Sequence, residues 1–230
     1  MKIVLCADTH GTRFAHLIPE CDIFIHAGDI CPNTDHSHWY QSQWLKDVFF
    51  REIDSVKAKH KVFVGANHDY ILEEYYKGSV KDEAWFRGQL PSNVHYLRDS
   101  GVTLDGVSIW GTPWVVNLPR WAFSKQSPSD DDRGGKDQSD ELRAIYANIP
   151  DKVDFLVSHG PAYGFCDQIP EFGMKDHLGC KPLTEAILQK KPKYVISGHI
   201  HSANHNGEKI IHNFETGEKT ELFCVSVLDE

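Results

Sequence analysis

Hydrophobic and polar positions repeat one arrangement along this chain: a short apolar run, closed at its C-terminal end by a cluster of Gly, Asp, Asn or His. Lys2 to Ala7 leads into Asp8-Thr9-His10-Gly11, Asp22 to Ala27 into Gly28-Asp29, and Lys61 to Val64 into Gly65-Ala66-Asn67-His68-Asp69. Val153 to Val157 leads into Ser158-His159-Gly160, and Tyr194 to Ser197 into Gly198-His199-Ile200-His201. Apolar runs bounded this way predict buried strands. Helical patterns separate them: Ser37 to Ala58, with Trp39, Leu45, Val48, Phe49 and Ile53 facing the core, a helix and loop over 70–92, then Ser139 to Ala147 and Pro182 to Gln189. Pro182 suits a first helical turn.

His95 to Leu97, Val102 to Leu104 and Val107 to Trp110 read as further strands, with Asp105-Gly106 as a hairpin turn between the last two. Lys209 to Phe214 and Thr220 to Leu228 close the chain as β-like runs joined at Thr216-Gly217-Glu218. Two stretches break the pattern. Residues 111–138 are first aromatic, then rich in Ser, Pro, Asp and Gly, and 161–180 again mix Gly, Pro and aromatics. Segments of this kind predict long loops or lids outside the core. No linker, repeat or change of composition divides the chain, so one domain over 1–230 is expected. Strand–helix–strand alternation predicts an α/β fold with parallel pairing among the early strands.

Composition narrows the setting. A chain of 230 residues, 40% hydrophobic and 25% charged, has the make-up of an ordinary soluble protein with one sizeable core. No apolar run approaches the roughly 20 residues of a membrane span. Met1-Lys2 passes directly into a strand, without a signal peptide. The expected location is the cytoplasm. A formal charge of −9 without a basic cluster disfavours long nucleic acid as a partner. The six cysteines form no CxxC pair, which disfavours disulfides and a thiolate zinc site. Nothing addresses oligomeric state.

The 14 histidines are the unusual count, and their positions carry the chemistry. Singly, each polar cluster has an ordinary reading as a solvated loop, a turn or a helix cap. Together they place carboxylate, amide and imidazole groups at the strand ends where sites of open α/β folds gather. Mixed nitrogen and oxygen donors without thiolate suit divalent ions such as Mn, Fe or Zn. Two ions about 3.5–4 Å apart need a shared ligand, and a carboxylate such as Asp29 can bridge them. Gly198 predicts a turn with backbone angles that only glycine tolerates, in which both imidazoles swing towards one centre.

The blocks Asp8-x-His10, Gly28-Asp29, Asn67-His68-Asp69, His159 and Gly198-His199-x-His201, in this order, resemble the calcineurin-like metallophosphoesterases. Trp110-Gly111-Thr112-Pro113-Trp114, Ser158-His159-Gly160-Pro161, His177-Leu178-Gly179-Cys180 and the ending Ser226 to Glu230 resemble the MPPED-type (metallophosphoesterase-domain-containing) branch. The resemblance implies a two-sheet β-sandwich flanked by helices and hydrolysis of phosphodiesters, cyclic nucleotides among them, by a metal-activated water. It implies that Asp8, His10 and His201 hold one divalent ion and that Asn67, His159 and His199 hold the other, with Asp29 bridging. His68 stays off the metals and assists as proton donor or charge stabiliser, and Asp69 orients His68 or another ligand. Ala66 departs from the family's Gly-Asn-His. If that position needs a positive φ, alanine carries a strain cost there, unless Gly65 absorbs the turn.

The implied partner is a small phosphoester, with a nucleotide among the candidates. Trp114, Trp121, Phe123 and Phe165 either stack on a nucleobase or pack the irregular stretches onto the core. Arg120 is a candidate for pairing with a phosphate oxygen, and His177 for the rim. Two alternatives stay open: a phosphomonoesterase or protein phosphatase on the same centre, and a non-catalytic protein-binding scaffold. The scaffold reading fits poorly with a chain that keeps every ligand and the block-three histidine.

Overall fold

A computed structural model describes residues 1–78, 83–127, 136–169, 176–202 and 207–227. The first half alternates strands with helices: β1 (Ile3–Cys6), β2 (Cys21–His26), α1 (His38–Trp44), α2 (Phe50–Ser55), β3 (Ala58–Val64), α3 (Tyr70–Lys77), α4 (Glu83–Arg87) and β4 (Val94–Leu97). These strands form a parallel sheet in the order β1-β2-β3-β4. The second half supplies β5 (Ser100–Leu104), β6 (Val107–Thr112), β7 (Val115–Val116), β8 (Ser124–Lys125), α5 (Ser139–Tyr146), β9 (Phe155–Ser158), α6 (Lys181–Lys190), β10 (Tyr194–Ser197), β11 (Glu208–Asn213) and β12 (Glu218–Cys224). Six of them build a mixed sheet in the order β11-β12-β10-β9-β6-β5. β5 and β6 pair through the expected hairpin, where Asp105 and Gly106 both have positive φ.

The two sheets pack face to face. Ile23, Ile25, Val62 and Val64 of the first meet Ile109, Phe155, Val157 and Ile196 of the second in one apolar layer. Strand alternation turns the neighbouring residues outward. Phe24, Phe63 and Tyr96 lie in a second cluster with Leu45, Phe49, Ile53, Ile71 and Phe86 from the helical stretches, and Leu156, Val195 and Leu222 lie there with Leu142, Tyr146, Leu183 and Ile187 of α5 and α6. The fold is therefore an α/β sandwich flanked by helices. At one end the sheets are tied together, where Ala7 bridges to Ser226 and its N–H donates to the Val225 carbonyl at 2.9 Å.

Several expectations are corrected. The helix read over 37–58 is two short helices joined by a π-helical turn, Leu45–Phe49, and it stops at Ser55 because the chain turns extended at Val56 to enter β3. Ser37 caps its start by accepting the Tyr40 N–H at 3.3 Å. Leu45, Phe49 and Ile53 are buried, but Trp39 lies in the first turn and is 73% exposed. The stretch after Gly111 is largely core: β7 and β8 pair in parallel there, and Trp114, Ala122 and Phe123 are buried. The Ser-Pro-Asp-rich part, 128–135, and residues 170–175 of the second irregular segment lie outside the described residues, as does Leu228. Among the described residues no helix is long and apolar enough to cross a membrane.

Candidate metal centre

The strand ends meet at the tied edge of the sandwich. Past the last residues of β1 and β2 the ladder continues, with Asp8 N–H donating to the Gly28 carbonyl at 2.9 Å and His10 N–H to the Asp29 carbonyl at 3.0 Å. This sets Asp8, His10 and Asp29 side by side. The Gly198 N–H donates to the His159 carbonyl at 3.0 Å, so the ends of β9 and β10 are locked in the same way. Asp8, His10, Asp29 and His199 all have positive φ, between 42° and 70°. L-residues carry a strain cost there, which the surrounding hydrogen bonds sustain.

Three groups of side chains bring donor atoms within 4.8 Å of one another: Asp8, His10 and His201; Asp29, His159 and His199; and His10, Asp29 and His68. Asp29 lies between the first two, with its Oδ2 3.7 Å from His10 Nε2 and 3.3 Å from His159 Nε2. Asp8 Oδ1 lies 3.6 Å from His201 Nε2 and 3.9 Å from His159 Nε2. Asn67 completes the second group, its Oδ1 3.1 Å from His159 Nε2.

Each carboxylate is aimed by a backbone N–H from another block. His199 N–H donates to Asp8 at 3.1 Å, and His68 N–H donates to Asp29 Oδ1 at 2.8 Å, which leaves Asp29 Oδ2 towards the imidazoles. His159 Nδ1 donates to the Ala27 carbonyl at 2.8 Å, so Nε2 is the nitrogen turned to the centre.

The electrostatics fit a cation site. Burial works against the charged form of Asp29, yet the adjacent His159 imidazole holds its carboxyl well below the usual carboxylate range. Burial likewise opposes ionisation of His159, but the Asp29 carboxylate prevails and raises it to about 9. Burial lowers His68 and His199 to about 4 each, which favours neutral imidazoles able to act as ligands or hydrogen-bond partners. Both ring nitrogens of His10 are buried and have no hydrogen-bond partner. A buried imidazole with two idle nitrogens is costly unless something charged or polar completes it. The donor set matches what divalent ions of the Mn, Fe or Zn type take.

Glycines at the centre act through space as well as conformation. Gly198 does not have a positive φ; His199 takes the left-handed position instead. A Cβ on Gly198 would sit 2.6 Å from the Ala7 Cβ and inside contact of the Asp8 carboxylate, so glycine is required for close approach. Gly28 combines both demands, with φ +97° and a hypothetical Cβ 2.7 Å from the Ala66 Cβ. Neither Gly65 nor Ala66 has a positive φ, so Ala66 carries no strain of the kind considered above.

Other candidates fall into place differently. Asp69 does not reach the His68 ring; its carboxylate accepts the N–H groups of Asp29, Ile30 and Cys31 at 3.1, 3.1 and 2.8 Å, and so fixes the loop that carries Asp29. Trp114 is buried, with Nε1 donating to Asp99 at 3.0 Å and Lys125 over its ring at 4.8 Å, so it packs the core and offers no face to a base. Phe123 is fully buried. Phe165 is half-buried against the apolar cluster, and Arg120 is exposed at φ +72°. His177 Nδ1 lies 2.7 Å from Asp167 Oδ1, and its ring meets that of Tyr163 at 5.2 Å between centroids.

Trp121 is the aromatic that borders the centre, 4.5 Å from the His68 ring. Sequence reasoning missed three residues. Gln41 on α1 donates to the His68 carbonyl at 2.7 Å and accepts the Ile71 N–H at 3.0 Å. His26 accepts the Gly28 N–H at 3.2 Å and pairs with Thr9 Oγ1 at 3.0 Å beneath the Asp8 loop. His36 meets the His68 ring. None carries a ligand-like spacing, and each acts on a residue distant in sequence.

Since Trp114 is a core residue, Trp114→Ala is expected to destabilise the fold by about 3–5 kcal/mol, the usual cost of truncating a buried aromatic. Urea denaturation measures it; unchanged stability would mean the side chain is not packed as described.

With the fold and the centre in view, the comparisons with known proteins agree. The chain belongs to the calcineurin-like phosphoesterase family, which it matches over residues 1–203. Within that family its relatives place it in the MPPED-type branch. It is 28% identical over 217 residues to human metallophosphoesterase domain-containing protein 1, an alignment covering 87% of this chain and 60% of the relative. It is 30% identical over 219 residues to a UPF0046 protein of Caenorhabditis elegans, covering 87% and 69%, and 27% identical over 207 residues to a second one, covering 87% and 63%. The chain thus spans less than two thirds of the length of several curated relatives. A crystal structure at 17% identity superposes with a TM-score of 0.62, covering 96% of this chain and 89% of the other, which speaks for the fold.

Proposed function

We propose that this chain is a dinuclear-metal phosphoesterase acting on small phosphodiesters, with nucleotides in the candidate range. The observation that carries the reading is the meeting of Asp8, His10 and His201 with Asp29, His159 and His199, in which Asp29 also lies 3.7 Å from His10 and groups with His10 and His68. Asp8, His10 and His201 would hold one ion and Asn67, His159 and His199 the other, with Asp29 available to both. Two divalent ions would supply charge neutralisation of the phosphate and activation of a water nucleophile.

The chain's own residues do the rest. Asp29 and Asp8 are held rigid by backbone N–H groups, so the ligand set is organised before substrate arrives. His68 has its backbone pinned at both ends, by Asp29 and by Gln41, and its neutral imidazole serves the leaving oxygen as a hydrogen-bond donor that stabilises developing charge. Trp121, whose ring lies 4.5 Å from that of His68, replaces the buried Trp114 as the aromatic candidate for contact with the leaving group. All six cysteines are free and buried, which suits a reducing, cytoplasmic setting.

Activity on aryl phosphomonoester, aryl phosphodiester and 2′,3′- and 3′,5′-cyclic nucleotides, each with Mn, Fe or Zn, tests the reading. Diester hydrolysis that stops on chelation and returns with metal is the expected result. Preference for monoesters points to the phosphatase alternative, and inactivity towards every ester points to the scaffold. Gly198→Ala is expected to push Asp8 aside and lower the bound metal per chain, with the fold retained by circular dichroism. Unaltered metal content would show that the close approach of Gly198 to Asp8 is not required.

A further inference from the structure

Just before α1 the chain makes a tight, well-tied turn. Asp35 Oδ1 accepts the Ser37 N–H at 2.7 Å, and Ser37 in turn caps α1. His36 sits between these two anchors, and its Nε2 lies 3.3 Å from His68 Nδ1. The His36 ring stacks on Tyr70 at 5.0 Å between centroids and meets Trp121 edge to face at 5.4 Å. The His68 ring is enclosed by Trp121 at 4.5 Å and His10 at 4.6 Å. One short segment therefore makes two contacts with His68: Gln41 holds its carbonyl and His36 holds its ring.

We propose that His36 is a positioning residue for His68, fixing the orientation and tautomer of its imidazole. The inference rests on the reading above, in which His68 faces the leaving oxygen. A ring held only by packing can turn over and exchange Nδ1 with carbon, whereas a hydrogen bond at Nδ1 selects one orientation. Which nitrogen of an imidazole carries the proton is set by the bond the other nitrogen makes. With His36 Nε2–H donating to the Nδ1 lone pair of His68, the His68 proton resides on Nε2. That is the nitrogen without a side-chain partner and the one that can face the leaving oxygen. The proton stays on Nε2 throughout: as the phosphorus–oxygen bond breaks, Nε2–H donates a hydrogen bond to the leaving oxygen and stabilises its developing charge, and the departing alkoxide takes its proton from solvent water.

His36→Ala and His36→Gln test this, the glutamine amide being able to donate at similar reach. For a diester with a poor, alkoxide-like leaving group, His36→Ala is expected to lower kcat by about 10–100-fold, as outer partners of site histidines commonly do, with KM and bound metal unchanged. For a nitrophenyl leaving group, which needs little charge stabilisation, the loss should be small. His36→Gln should restore most of the rate, and His36→Ala in a His68→Ala background should change nothing further. Long-range nitrogen–proton NMR of the zinc-loaded protein reads the His68 tautomer without turnover: Nε2–H in the parent and His36→Gln, a mixture in His36→Ala. Equal losses on both leaving groups, a fall in bound zinc, or an unchanged tautomer would each overturn the proposal. If His68→Ala itself leaves hydrolysis intact, the function assigned to His68 fails, while the tautomer measurement still decides whether His36 sets its ring.

Discussion

Asp29→Ala is expected to release both ions and to lower turnover more than about 10³-fold, since the charge stabilisation lost is several kcal/mol and each 1.4 kcal/mol is about tenfold. The geometry explains why one side chain has so large a reach. Asp29 Oδ2 stands 3.7 Å from His10 and 3.3 Å from His159, so it reaches a histidine of each ligand group. Its other oxygen takes the His68 N–H at 2.8 Å. Removing the carboxylate also leaves His159, His10 and His199 clustered without their central anion, so mutual repulsion of any protonated rings adds to the loss. The Asp69 bonds go to backbone N–H groups of Asp29, Ile30 and Cys31 and survive the change. The loop should therefore keep its course, and the fold with it. Asp29→Asn is the sharper companion: the amide oxygen can still accept from His68, but its NH₂ group faces the imidazoles and cannot bridge. Elemental analysis of both variants is the check, and two retained ions in Asp29→Ala would contradict the bridging role.

His68→Ala is expected to lower kcat by about 10²–10⁴, the range for a lost acid–base or charge-stabilising contribution, while metal content stays near normal. The separation is possible because His68 supports Asp29 through its backbone N–H and is held by Gln41 through its carbonyl. Alanine keeps both bonds, so the variant reports the imidazole alone. The test is a demanding one, because the His68 ring also comes within donor distance of His10 and Asp29. A metal-ligating His68 would cost an ion as well as rate. Elemental analysis beside steady-state kinetics distinguishes the two, and turnover near the parent value would remove His68 from the mechanism.

How much of this could be read from the chain depends on what each residue contacts. The strands from Lys2, Asp22, Lys61, Val153 and Tyr194 were legible because each is a short apolar run with polar punctuation, and parallel pairing then brings their ends to one edge. The ligand candidates were legible for the same reason: a residue type with metal chemistry sits directly after a strand. For Trp114 the choice between stacking and packing stayed open because its partners, Asp99 in the turn between β4 and β5 and Lys125 on β8, are set by tertiary structure, and local composition alone suggested a loop. Trp39 was misplaced because the helical periodicity says nothing about where a helix first meets the core. The role of Gly198 looked conformational and proved steric, a matter of the distance to Asp8 and Ala7 that only the packed sandwich defines. His36 and Gln41 left no signal, since their significance lies in the approach of α1 to His68. Asp69 was expected to orient His68 or another ligand, and the choice between them was not legible, because three backbone bonds to Asp29, Ile30 and Cys31 exist only once the two loops meet.

The central claim is that the two side-chain groups joined by Asp29 form one catalytic dinuclear centre. Titration of the metal-stripped protein with Mn²⁺, following bound metal per chain and hydrolysis of an aryl phosphodiester in the same samples, tests it most directly. The prediction is binding that saturates at two ions per chain, with hydrolysis absent from the stripped protein and rising as the second ion binds. Hydrolysis by the stripped protein, or saturation at two ions with no phosphoester turned over, would contradict it.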